Sequence, residues 1–290
     1  MPQFEKNRVL PGTLYLVSTP IGNLADLSER AVKVLSEVDF VAAEDTRNSG
    51  LLLSRLGISR PMISYFEHNK RERGEEIVAR LQNGESCALV TDAGTPAVSD
   101  PGEDLVALCA SRGIRVSAVP GPVASITALT LSGLPTGRFC FEGFLPPVKA
   151  KRLARLSALA KEERTLLFHE APHKLTRTLE DLAAVFGGDR KIAVCRELTK
   201  LNEEIFRTTL AQAAAYYKAN EPRGEFVLVV SGAPERETLS ENDVLPLAEQ
   251  VFEYEKEGLS RKDAIKRVAH ERSLPKNEVY QAVLSKEDSE

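Results

Sequence analysis

The 290-residue chain predicts an α/β fold: two α/β domains, residues 1–121 and 122–238, followed by a small helical appendage over 239–290. Three observations carry this reading. Strand-sized apolar runs alternate with segments of helical periodicity, which argues βαβ units and a mostly parallel sheet. The stretch from Pro120-Gly121-Pro122 to Gly137 breaks that rhythm near the middle of the chain, as a domain boundary does. The last fifty residues carry only helical spacing.

The elements follow in order. Leu14 to Ser18 is a short buried-strand run, ended by Thr19-Pro20-Ile21-Gly22-Asn23. Leu24, Leu27, Ala31, Val34, Leu35 and Val38 recur at helical spacing, and Phe40 to Ala43 forms a second strand. A third strand covers Met62 to Phe66, and a helix over Glu72 to Leu81 leads into the strand Cys87 to Val90. Another helix and the strand Val116 to Val119 complete the first domain. In the second, a helix over Ala124 to Leu131 precedes a strand at Phe139 to Phe141 and a helix over Lys151 to Glu163. Strands at Thr165 to Phe168 and Lys191 to Cys195 bracket a further helix, and Phe226 to Val230 is the last strand.

Val244, Leu247, Ala248, Val251 and Phe252 open the appendage, and Gly258 stops that helix. Ser260 and Asp263 make a start resembling a capping box, and Pro275 lies near the start of a last helix. Six Lys or Arg stand against two acids from Ser260 to Lys276. That excess suits either a solvated helix face or a helix-turn-helix that binds nucleic acid.

The formal charge of −4 supplies no global field for nucleic acid, so any such partner needs local patches. Lys149, Lys151, Arg152 and Arg155 form one candidate for tracking phosphates, with an ordinary exposed helix face as the alternative. Cys87, Cys109, Cys140 and Cys195 lack metal-ligand spacing, as do His68, His169, His173 and His270, so no metal is expected. Met1 to Arg8 has no apolar secretory core, and no run approaches the roughly 20 apolar residues of a membrane span. A soluble cytoplasmic protein without membrane partners is the expectation.

The loop Thr91-Asp92-Ala93-Gly94-Thr95-Pro96, continued by Ser99-Asp100-Pro101-Gly102, follows a strand directly. Open α/β sheets place their ligand crevices at such carboxyl ends. The loops at Pro20 to Asn23, Glu44 to Arg47 and Asp92 to Pro96 should converge on one sheet edge. Their acidic and small residues suit a ligand bearing a nucleoside or an amino acid better than a bare polyphosphate. Neither the glycine-rich dinucleotide fingerprint nor the P-loop pattern occurs.

Thr19-Pro20-Ile21-Gly22-Asn23-Leu24, Ala43-Glu44-Asp45-Thr46-Arg47, Ser99-Asp100-Pro101-Gly102, Pro120-Gly121-Pro122 and Glu142-Gly143-Phe144-Leu145-Pro146, with the loop at Asp92, resemble the ribosomal RNA small subunit methyltransferase I family. That family belongs to the tetrapyrrole methylase superfamily, and the resemblance spans about residues 12–285. It implies a tetrapyrrole methylase-like fold with S-adenosyl-L-methionine in the cleft between the two α/β domains, and a homodimer. The implied reaction is 2'-O-methylation of a cytidine in the decoding region of 16S rRNA, with the small ribosomal subunit as partner. Carried onto this chain, the cofactor-binding positions are Pro20, Ile21, Asp92, Ala93, Gly94, Thr95, Ile126, Thr127 and, more weakly, Phe168 with the start of the final strand. Porphyrin-type members have a glycine-rich first loop, whereas Pro20-Ile21-Gly22-Asn23 stands here, which favours the RNA branch.

A ribose hydroxyl is a poor nucleophile, so transfer needs in-line placement and a proton acceptor. Glu197 or Glu170 is the expected acceptor, with Lys200 and Arg47 placing phosphate or easing negative charge. Glu44-Asp45-Thr46-Arg47 also fits a helix cap with a surface ion pair, and Arg196 to Glu204 a solvated strand end. His169 reads as a packed or hydrogen-bonded residue rather than a base. Two rival readings are methylation of a tetrapyrrole or other small molecule, and a nucleotide-sensing helix-turn-helix regulator. The first predicts turnover without ribosomal material, the second duplex-DNA binding without methyl transfer.

Overall fold

A computed structural model describes residues 8–234, 245–272 and 274–287. The chain divides into two compact units, Met1–Ala233 and Pro234–Glu290.

The first unit opens with β1 (Thr13–Val17), β2 (Phe40–Ala43), β3 (Met62–Ser64), β4 (Cys87–Val90) and β5 (Arg115–Val119). They form one sheet in the order β3-β2-β4-β1-β5, every pair parallel. The all-apolar runs of β2 and β4 are buried on both faces because helices cover both. Helices α1 (Glu29–Glu37) and α2 (Thr46–Arg55) bring Val34, Leu35 and Leu53 against Val17, Val41 and Val90. On the opposite face α3 (Lys70–Gln82) and α4 (Glu103–Ser111) set Ile77, Val78 and Leu105 against Leu14, Phe40 and Leu89. Ser28 caps α1 by accepting from Ala31 N at 3.1 Å, and Asp45 caps α2 by accepting from Arg47 N at 2.8 Å.

The second sheet contains β6 (Phe139–Phe144), β7 (Thr165–Glu170), β8 (Lys191–Arg196), β9 (Glu204–Thr209) and β10 (Phe226–Val230), in the order β6-β7-β10-β8-β9. Only β6 and β7 run parallel; the other three pairs are antiparallel. Alternation along its central strands sends side chains to two different cores. Phe168, Val194 and Leu228 meet α6 (Lys149–Leu159), α7 (Pro172–Phe186) and α8 (Leu210–Ala219). Leu167, Cys195 and Val227 face the other way, towards α5 (Ala124–Ser132), Ile21 and Leu198. The first loop of the chain thereby packs on the second sheet.

Most strands fall where the apolar runs place them. Helix α6 runs over Lys149–Leu159 rather than Lys151 to Glu163. Strand β9 and helix α8 were not anticipated: Glu204–Thr209 mixes charged, apolar and hydroxyl residues because it is an edge strand bonded only to β8. Arg152 departs most from the expected basic face. Its side chain is 3% exposed, donating from Nε to Asp181 Oδ2 at 2.7 Å and from Nη1 to Pro147 O at 3.1 Å. It anchors the Phe144-Leu145-Pro146-Pro147 turn instead of meeting phosphate. Arg155 is paired with Glu142 at 2.6 Å, which leaves Lys149 and Lys151 as the exposed cations of that helix start.

The second unit holds α9 (Leu247–Lys256), α10 (Arg261–Glu271) and α11 (Lys276–Glu287) around Val251, Ala264, Val268, Val279 and Val283. Gly258 adopts φ +97 past the end of α9, and Ser260 accepts from Asp263 N at 3.3 Å to start α10. The boundary expected at 238/239, and Val244 with it, lies outside the described residues.

Candidate active site

In the first sheet β1 and β4 are neighbours, and the loops leaving their carboxyl ends are joined. Thr19 N donates to Gly94 O at 2.8 Å and Gly94 N returns to Thr19 O at 3.1 Å. Thr95 Oγ1 lies 2.8 Å from Ser18 Oγ and donates to Pro122 O at 3.1 Å, which adds the Pro-Gly-Pro segment to the same knot. Gly94 needs its glycine, since it takes φ +86 and a Cβ there would stand 3.3 Å from Ile21 Cγ2.

These loops wall a cavity of about 390 Å³, within the size range of small-molecule sites. Its near side comes from Ile21, Glu44, Thr91 to Ala93, Val98 to Asp100 and Ala124. Its far side comes from the second sheet: Phe144, His169 to Pro172, Cys195, Leu198 and Glu225 to Val227. Among the described residues the non-glycine positions with φ between +50 and +70 are Ala97, Ser99, Glu197 and Thr199. They lie on the two loops that supply Val98, Ser99 and Leu198 to the walls, so backbone strain is concentrated at the cavity.

Of the residues named from the sequence, Ile21, Glu44, Asp92, Ala93 and Glu170 line the cavity, as do Phe226 and Val227 at the start of the final strand. Gly94 and Thr95 shape it through the backbone and hydroxyl bonds above, and Pro20 lies between Thr19 and Ile21 without lining it. Ile126 is exposed on α5, and Thr127 Oγ1 donates within its own helix to Val123 O at 3.0 Å; Ala124 of that helix reaches the wall. The Phe168 ring is fully buried on the other face of β7, while its neighbours His169 and Glu170 face the cavity. Arg47 is exposed and grips Asp45 at 2.6 Å.

Glu197 and Lys200 form a local ion-pair network beside the wall. Lys200 Nζ lies 2.9 Å from Glu197 Oε1 and 2.8 Å from Glu225 Oε2, and Glu225 N donates to Glu197 Oε1 at 3.0 Å. The Lys200 ammonium holds the Glu197 carboxyl below its ordinary range. Gly22 and Gly224 make room for this network: a Cβ at Gly224 would meet Glu197 Cγ at 2.6 Å. Glu170 is fixed differently. Its oxygens accept from Ala171 N at 2.8 Å and from Thr178 Oγ1 at 2.6 Å.

Among the described residues the cavity wall carries five carboxylates, from Glu44, Asp92, Asp100, Glu170 and Glu225, and no Lys or Arg. It suits a cationic or polar ligand and repels a bare phosphate. Thr91 Oγ1 donates to Glu44 Oε2 at 2.7 Å, and Asn48 Nδ2 donates to Asp92 Oδ2 at 3.0 Å. Burial and then the nearby Glu44 charge push the Asp100 carboxyl up to about 6. His169 stands edge-on to Phe141 and Phe144, with ring centroids 5.1 and 5.4 Å away, and burial lowers its pKa. The Cys195 thiol is pushed up to about 12 by burial. The sequence puts Asp100 in the loop expected to wall the ligand, through Ser99-Asp100-Pro101-Gly102, without giving its carboxyl a role, and it leaves Glu225, the residue before the final strand, unnamed.

The model of the tetrapyrrole (corrin/porphyrin) methylases matches residues 13–214. A ribosomal RNA small subunit methyltransferase I from Synechocystis sp. is 48% identical over 278 residues, covering 95% of this chain and 99% of its own. The protein of that name from Haemophilus influenzae is 44% identical over 278 residues, covering 95% and 98%. Among solved structures, uroporphyrin-III C-methyltransferase from Thermus thermophilus complexed with S-adenosyl homocysteine aligns with a TM-score of 0.53 at 18% identity, over 76% of this chain and 97% of that one, a likeness of fold. With two sheets meeting at a cavity, the looped knot at Thr19 and Gly94, and these relatives, the chain belongs to the tetrapyrrole methylases and, within them, to the ribosomal RNA small subunit methyltransferase I family.

Proposed function

We propose that this protein transfers a methyl group from S-adenosyl-L-methionine to the ribose 2'-oxygen of a cytidine in the decoding region of 16S rRNA, within the small ribosomal subunit. The observation that carries the donor half is the cavity itself: pocket-sized, partly apolar, and lined, among the described residues, by five carboxylates without Lys or Arg. A sulfonium donor with an adenosine body fits such walls, whereas a polyphosphate ligand would be repelled. Ile21, Asp92, Ala93 and the Thr19–Gly94 knot would hold it, and His169 with Phe144 offers aromatic surface for a base. The bound donor supplies an electrophilic methyl group. The chain's own groups must orient the hydroxyl and take up its proton.

Methylation at a pyrimidine carbon calls for an activated nucleophile such as a thiolate, and burial raises the pKa of the Cys195 thiol on the cavity wall, which speaks against that role for this side chain. The relatives' name supports an rRNA substrate. The decisive measurement is transfer of labelled methyl to small subunits, followed by nuclease mapping that separates ribose from base methylation. Label on the cytosine ring, or none in RNA, rejects the reading.

Of the two acceptors named from the sequence, Glu170 lines the cavity and Glu197 does not. Glu170→Gln is therefore expected to slow single-turnover transfer at saturating donor by about 10²–10⁴-fold. Glu197→Gln should stay within about tenfold, acting only through the Lys200 network. Equal effects in rapid-quench measurements would remove the distinction.

The acidic cavity implies that RNA phosphates run outside it, along surface cations. Lys149 and Lys151 are exposed at the start of α6. Changing both to Ala should weaken RNA binding and flatten log K against log salt by roughly 0.7 for each phosphate no longer neutralised on a single strand, while donor affinity stays unchanged. An unaltered salt slope would place the RNA path elsewhere.

A further inference from the structure

Thr91 is 2% exposed and its hydroxyl carries one proton, yet it stands within hydrogen-bonding reach of two carboxylates. It donates to Glu44 Oε2 at 2.7 Å, and Asp100 lines the same cavity beside them. Asp92 faces the same corner, its carboxylate bonded to Asn48 at 3.0 Å. One hydroxyl proton cannot serve two acceptors at once, so one carboxylate is left facing like charge in a partly desolvated corner. The charges that act on Asp100 are negative: Glu44 from the end of β2 and Asp92 from the loop after β4. Glu170 of β7 and Glu225 before β10 line the same cavity, Glu225 being paired with Lys200 at 2.8 Å. His169 on β7 is held towards its neutral form by burial, and Arg47 is engaged by Asp45.

This corner responds to the charge of whatever fills the cavity. A cation placed against it offsets the negative charge of Glu44 and Asp92 beside Asp100, so a proton that Asp100 holds near and below pH ~6 is released to solvent. A neutral group placed in the same position leaves the proton where it is. Methyl transfer changes the ligand in this respect, because a sulfonium becomes an uncharged thioether. We propose that Glu44 and Asp100, joined through the Thr91 hydroxyl, form a charge-sensing wall that favours the sulfonium donor over its demethylated product and couples donor binding to proton release. The inference rests on S-adenosyl-L-methionine being the ligand of this cavity. Its consequence is relief from product inhibition above the titration range of the wall.

The carboxyl of Asp100, raised to about 6, sets the range. If the donor binds the ionised wall and the product is indifferent, one linked proton makes the donor-to-product affinity ratio rise about fourfold between pH ~5.5 and ~7.5. Isothermal titration calorimetry on the full chain with S-adenosylmethionine and S-adenosylhomocysteine, in buffers of different ionisation enthalpy, reads both the ratio and the protons released. The expected result is proton release with the sulfonium ligand, none with the thioether, and loss of both the pH slope and the release in Asp100→Asn. That variant keeps a group able to bond Thr91, and its thermal melt should lose less stability than the parent as pH rises from about 4 to about 7, because the raised acid no longer ionises in the folded state. Equal pH slopes and equal proton release for the two ligands would overturn the proposal, since the wall would then face the ammonium group that both share. A slope that survives in Asp100→Asn overturns it as well. If neither ligand binds at any pH, the donor reading of the cavity fails instead, which is a separate outcome.

Discussion

Arg152→Ala is expected to destabilise the first unit by about 3–5 kcal/mol, because it leaves the buried Asp181 carboxylate without its partner. Removing the guanidinium also strips the Pro147 carbonyl of its donor and frees the turn that carries Phe144 onto the cavity wall. A loss of that size corresponds to a drop in Tm on the order of 10 °C, read by calorimetry or by a denaturant titration. The double change Arg152→Met with Asp181→Leu should recover much of the stability, since apolar side chains of similar volume carry no desolvation cost. If Arg152→Ala melts like the parent, the pair is not the anchor described above.

Gly121→Ala should weaken donor binding by roughly tenfold to a hundredfold, as overpacking of about 1–3 kcal/mol at a well-packed contact implies. A Cβ at residue 121 would stand 2.7 Å from Ser18 Cβ, an atom fixed to the backbone and unable to swing aside. The Pro-Gly-Pro segment must then shift from the end of β1, taking with it the Pro122 carbonyl that accepts from Thr95. Gly137→Ala is the matched control, because nothing lies within 4 Å of the Cβ it would add. Donor titration of the two variants separates a local effect on the knot from a general loss of glycine. Equal affinities would show that the Ser18 contact yields without cost.

The first half was largely legible because its signals are local. Cys87–Val90 and Phe40–Ala43 are apolar without interruption, as strands buried on both faces must be, and the loop after β4 announces itself by Gly94, Pro96 and Gly102. The second half was less so. Glu204–Thr209 has no strand-like alternation, since an edge strand bonded on one side can carry charge. Arg152 read as a surface cation because its sequence neighbours are basic, while its partner Asp181 lies 29 residues away.

The sequence by itself determined the alternation of strands and helices, the family, and the turns that wall the cavity at Asp92 to Thr95, because backbone conformation and strand burial are encoded within a few residues. Only the tertiary structure decided which charges are available. Glu197 and Lys200 neutralise each other beside Glu225, Arg152 is spent on Asp181, and Glu44 from the end of β2 meets Asp92 and Asp100 from the loop after β4 around Thr91. Charge depends on distance and desolvation, and both are set by contacts between residues far apart in the chain.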